Sequence, residues 1–265
     1  MYCGIAIYDT ENTSPKTVCE LGETLFSDLH ISITGAGYYS FLERGDHLGD
    51  HEIIEISFPE LKEKIKKNEI TAFRIYSEKK GAVPWHASLG YMTKEFGGFN
   101  YIDIQFENLP SNKIHILDFF KNLTRNIKFS YGIKYYCENP INTFYYSTGD
   151  NLVAIYQCER PSLFKKECPG RFKGQERYKS STLRMVYPAN IINTHHISIS
   201  INDINLKEWI LSNEKHGSLE KLNNEMWLWE VDEENLEYVN RVLGEAGILI
   251  AWDPKPPKKS LRKLP

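Results

Sequence analysis

Hydrophobic and polar positions alternate with period two along several short stretches of this chain and recur three or four apart along others. The pattern predicts an α+β protein with mixed or antiparallel sheets and helices on one face. Residues 2–8 (YCGIAIY), 53–58, 71–77, 85–92, 100–106 and 131–136 read as strands, with a shorter one at 151–156. Residues 30–33 and 38–42 read as a hairpin around Gly35–Gly37, and the Gly97–Gly98 pair marks a turn or a bulge. Helices are expected over 18–29 and from Pro59 through ELKEKIKKN. A third is expected over 111–127, where Ser111 offers a cap and Ile114, Leu117, Phe120, Leu123 and Ile127 share a face.

The last third carries the sharpest pattern. His196–Ile201 alternates as a strand, 206–213 reads as a helix, and 219–222 and Met226–Val231 read as strands. Asp232 then caps a helix that Gly247 ends, and Ile248–Trp252 forms a last strand. The order is the ferredoxin-like βαββαβ of a split βαβ layer. The periodicity fades between Glu159 and Tyr187, where eight Lys or Arg occur. The chain therefore divides into an N-terminal α+β unit (1–158), an irregular connection (159–187), the βαββαβ unit (188–252) and a basic, proline-rich tail (253–265).

Composition changes this picture little. Aromatics are abundant (16 Tyr, 13 Phe, 5 Trp) and fill a core rather than build a ligand platform. A net charge of −3 argues against a general nucleic-acid binder, although Arg171, Lys173, Arg177 and Lys179 with the tail could form a local basic surface. No run approaches the ~18 apolar residues of a membrane span, and no secretory signal is read at the N-terminus. The five scattered cysteines fit reduced thiols, so a cytoplasmic location is expected, with neither metal nor cofactor.

Candidates for chemistry weaken one by one. Cys3 follows Met1 and Tyr2, so it lacks the terminal amine that an N-terminal nucleophile needs. Asp46, His47, Asp50 and His51 cluster in GDHLGDHE, either as a solvated loop or as a metal or catalytic site. His86 and Ser88 share a strand face without a nucleophile turn, and His195–His196 would point to opposite faces of a strand. The Gly pairs lack the context of a dinucleotide or phosphate loop. No catalytic residue is assigned.

SYGIKYY (130–136), LRMVYPANIIN (183–193), LKEWI (206–210), WLWEV (227–231) and AGILI (246–250) resemble bacterial immunity-type proteins encoded beside polymorphic or type VI secretion toxins. The resemblance implies a cognate protein toxin as partner, bound and blocked without catalysis, with Tyr187–Pro188, Trp209 and Trp227 in structural roles. Three surfaces are expected to bind such a partner: the acidic Asp232 and Glu233, the Trp227 and Trp229 pair of WLWEV, and the polar loop holding Asp46 and Asp50. The tryptophan pair has two readings, a contact strip or a face covered by helices.

Overall fold

The computed structural model describes residues 1–10, 12–44, 50–79, 81, 84–109, 115–169 and 174–254. β1 (Tyr2–Tyr8) leads into α1 (Pro15–Asp28), whose start is set by Ser14: its hydroxyl accepts from the Thr17 amide, with a proline in the first turn. β2 (Gly35–Phe41) and β3 (His51–Ile56) form a hairpin, and a reciprocal cap between Ser57 and Glu60 opens α2 (Phe58–Lys66). β4 (Phe73–Glu78), β5 (Trp85–Met92), the single turn α3 (Lys94–Gly97) and β6 (Tyr101–Glu107) continue as a meander. α4 (Ile116–Asn126), β7 (Tyr131–Cys137), α5 (Pro140–Thr148) and α6 (Pro161–Glu167) follow. The last part holds β8 (Ala189–Asn193), α7 (Thr194–Ile197), the small hairpin β9 (Ser200–Ile201) and β10 (Ile204–Asn205), α8 (Leu206–Leu211), β11 (Ser218–Lys221), β12 (Met226–Glu230) and α9 (Leu236–Glu245).

Ten strands form one sheet in the order β11-β12-β8-β7-β1-β6-β5-β4-β2-β3, every neighbouring pair antiparallel. The α+β class with an antiparallel sheet is as the patterning predicts. The expectation of helices on one face is corrected. Both faces are covered, because β1 buries all seven of its residues and so needs cover above and below. Ile5, Ile7, Ile75, Leu89 and Ile104 pack with α1, α2 and α4 on one side. Tyr8, Tyr131, Tyr135 and Trp229 pack with α5, α6, α8 and α9 on the other.

The ferredoxin-like reading of 188–252 needs a similar correction. β8, β11 and β12 do lie in the order β8-β12-β11 of a split βαβ layer. The place of the fourth strand beside β8 is taken by β7, so the sheet runs unbroken across 159–187. Residues 248–252 leave the sheet and make single bridges, Leu249 to Leu183 and Trp252 to Glu159. Within the connection, Leu183, Arg184, Met185, Val186 and Tyr187 are all fully buried. The strand expected at 151–156 is a 3-10 turn (Asp150–Leu152) followed by irregular chain, and the hairpin at 30–42 is instead the single strand β2, which pairs with β3 and β4. The proposed Ser111 cap lies outside the described residues.

His196–Ile201 is not one strand: its start belongs to α7, and only Ser200 and Ile201 are extended, in the small β9–β10 hairpin. Asn193 caps the turn α7, its side chain accepting from the amides of His195 and His196. His196 is buried, its Nδ1 accepting from the Asn193 amide at 3.2 Å and its Nε2 donating to the Tyr178 carbonyl at 2.9 Å. Burial pushes the imidazole down from 6.5 to about 4. The unfolded chain therefore takes up a proton that the folded chain refuses, so stability contributed here is complete above pH 6.5 and falls as pH drops toward 4. At about 1.4 kcal/mol per pH unit this amounts to roughly 3 kcal/mol. Urea unfolding at neutral pH and near pH 4.5 should show the loss, and His196→Gln should flatten that part of the profile.

Candidate functional site

Two buried charges organise the side of the molecule that carries α9. Arg184 is fully buried with its guanidinium between the rings of Tyr146 (3.9 Å) and Phe164 (4.3 Å). Its Nη1 donates to the carbonyls of Tyr146 (2.6 Å) and Ser147 (3.3 Å) and to the Tyr8 hydroxyl (3.4 Å). Its Nη2 faces the Glu159 carboxylate at 3.6 Å, and both side chains are fully buried. Nε and Nη2 have no hydrogen-bond partner among the described residues. Glu159 in turn accepts from the Tyr146 hydroxyl at 2.7 Å and from the amides of Ile155 (2.9 Å) and Tyr156 (3.4 Å). A buried carboxylate thus pins the irregular 153–158 segment to the core, which no local pattern could have done.

Residues 251–253 close this assembly. The Ala251 amide donates to the Arg184 carbonyl (3.0 Å), the Arg160 amide to the Ala251 carbonyl (2.7 Å), and the Asp253 amide to the Cys158 carbonyl (2.7 Å). Arg160 adds an ion pair with Asp253 at 2.8 Å. Asn240 fixes α9 against the same strip, its side chain accepting from the Val186 amide (2.8 Å) and donating to the Val186 carbonyl (2.9 Å). Trp252 lies over Gly244 so closely that a Cβ there would overlap the indole. Between these pieces lies a groove of about 550 Å³ with Ile155, Tyr156, Met185 and Trp252 among its lining and Glu237, Arg241 and Glu245 at its rim. Burial raises the phenol of Tyr156 well above its ordinary value, and the neighbouring carboxylates of Glu159 and Glu233 add to this.

Two of the residues expected to bind a partner therefore fall beside one another near the groove: Asp232 and Glu233, both exposed, stand just before α9 with Glu234 and Glu237. Asp232 does not cap the helix through its side chain; its carbonyl accepts from Asn235 in a tight turn that precedes α9. The tryptophans divide. Trp229 is fully buried and donates its indole N–H to the His216 carbonyl at 2.7 Å, so it presents no contact surface, while Trp227 is half-buried against the same core. Asp50 precedes β3, a different edge of the sheet, and Asp46 lies outside the described residues, as do His47, Arg171 and Lys173. The groove lining itself was not legible in the sequence, since Ile155, Met185 and Trp252 come from three distant segments.

Residues weighed for chemistry are engaged elsewhere. Ser88 accepts from Arg74 Nη1 at 2.7 Å, and His86 faces Glu107 at 3.3 Å. Cys3 is buried in β1, its thiol pushed up to about 12 by desolvation. All five cysteines are free thiols. No helix among the described residues is long and apolar enough to cross a membrane, and no three metal-ligating side chains converge among them.

No protein-family model matches the chain, and no curated protein matches it. Among solved structures, the fold is similar to that of the Pseudomonas aeruginosa T6SS protein PA0821. The TM-score is 0.57 and the identity 11%, and the match covers 99% of this chain and 78% of that one. What is shared at this identity is the fold.

Proposed function

We propose that this chain is a non-catalytic, cytoplasmic binding protein that neutralises a cognate bacterial toxin, and that the α9 groove receives part of that toxin. The observation that carries the reading is the groove itself: an apolar lining beside a run of exposed carboxylates, Asp232, Glu233, Glu234 and Glu237. Such a surface favours a partner element with apolar side chains flanked by Lys or Arg, since opposed potentials speed encounter and select partners. The fold shared with a T6SS protein supports a secretion context, and five free thiols are consistent with a reducing compartment. The reading is tested by toxin protection in the native host and by pull-down of the product of the adjacent gene. Lys placed together at Asp232, Glu233 and Glu237 should weaken capture at least about tenfold, a loss of ~1.4 kcal/mol. Undiminished capture and protection by that variant would overturn the assignment of the groove.

A further inference from the structure

Among the described residues, nine other than glycine hold a positive φ. Seven of them are Asp, Asn or His, which enter that conformation more readily than other side chains, and an eighth is Glu176. The ninth is Leu152, at φ 54° directly after Asn151 at 51°. A leucine in this conformation crowds its Cβ against the following carbonyl, a cost that Gly escapes and Asn reduces. Packing does not offset it, because Leu152 is 70% exposed. An exposed leucine alone needs no explanation. One that is also held in a disfavoured backbone conformation does.

The turn is fixed from both sides. Gly149 ends α5 in the left-handed conformation, and the Asp150 carboxylate accepts from Thr148 Oγ1 and pairs with Lys165 at 2.9 Å. Beyond Leu152, the Val153 amide donates to the Asp150 carbonyl at 3.4 Å, and the amides of Ile155 and Tyr156 are tied to the buried Glu159. Leu152 is thus presented to solvent on a rigid mount, so little ordering remains to be done when a partner covers it. Ile155, three residues on, already lines the α9 groove, and three residues of chain span at most about 11 Å.

We propose that Leu152 is a preorganised anchor for the partner of the α9 groove and enters an apolar pocket on that partner, an assignment that rests on the binding function proposed above. The acidic rim then selects a basic segment, and Leu152 fixes a second point of contact beside it. Burial of its side chain offsets the backbone strain only in the complex, which is where strain held at a binding site becomes useful.

The test uses the full chain and the purified product of the adjacent gene, with affinity from biolayer interferometry and stability from urea unfolding. Leu152→Asn relieves the backbone and should raise the unfolding midpoint by roughly 0.2–0.4 M urea. The same variant should bind at least about tenfold more weakly, since one leucine side chain is no longer buried. Leu152→Met keeps an apolar side chain of similar reach and should bind within about threefold of wild type. A residue with a purely structural role would not gain stability while losing its partner. Undiminished binding by Leu152→Asn would overturn the proposal, and so would a fall in its unfolding midpoint. The lysine variant at Asp232, Glu233 and Glu237 separates the two assignments. Weak binding by that variant beside full binding by Leu152→Asn leaves the groove standing and removes Leu152. The opposite pattern removes the groove and leaves Leu152 as the contact, and a wild type that binds nothing removes both.

Discussion

Arg184→Met should lower the unfolding free energy by about 3–5 kcal/mol, the range for breaking one side of a buried ion pair. The substitution leaves the Glu159 carboxylate facing an apolar side chain and strips a donor from the carbonyls of Tyr146 and Ser147. Both partners are fully buried, so solvent screening gives no relief. A domain has only about 5–15 kcal/mol in total, so the loss is a large share of it. The effect should also reach the groove, because Glu159 holds the amides of Ile155 and Tyr156. Adding Glu159→Gln removes the stranded charge while keeping an acceptor for those amides. The double variant should therefore be more stable than Arg184→Met alone. Urea denaturation of the two single variants and the double variant measures this coupling, and an Arg184→Met variant within about 1 kcal/mol of wild type would contradict it.

The same cluster marks where sequence reasoning stopped. Period-two and period-3.6 patterns placed β1, β4, β5, β6, β7 and β12 closely, because each of these strands presents a locally readable rhythm. α5 was missed because ENPINTFYYSTG is rich in aromatic and β-branched residues that favour strands. Its boundaries were nonetheless written in the chain. Asn139 caps it, Pro140 opens it, and Gly149 ends it in the left-handed conformation. Residues 183–187 carry a charge and no periodicity, and only the ring cage around Arg184 makes their burial intelligible. The short 248–252 segment has the apolar look of a strand, but β7 already occupies the sheet position that it would have filled. At the candidate site the acidic turn before α9 was readable from Asp232 and Glu233. The burial of Trp229 was not, because which tryptophan of a strand is covered depends on what packs over it.

Gly90→Ala should cost as much as breaking the second buried ion pair outright, again about 3–5 kcal/mol. Arg74 on β4, Gly90 on β5 and Asp103 on β6 are successive cross-strand partners. With no side chain on the middle strand, the Arg74 guanidinium passes over Gly90 and donates Nη2 to both Asp103 oxygens at 2.8 Å. Ser88 and Gln105 complete the cluster by accepting from Nη1, and Gln105 also donates to Asp103 Oδ2 at 2.6 Å. A methyl group on Gly90 would overlap the guanidinium and the carboxylate alike, and the guanidinium is backed by Phe144, whose ring centre lies 4.7 Å from its carbon. The glycine is thus required by a side-chain contact two strands wide rather than by its own backbone angles. Asp103→Ala removes the same pair from the other end, leaving Arg74 buried without a counter-charge. If Gly90→Ala acts by prising the pair apart, the double variant should lose clearly less than the sum of the single losses in a urea-unfolding cycle. Full additivity would mean that the cost of the added methyl group lies in the backbone, and the reading of Gly90 as a passage for Arg74 would be wrong.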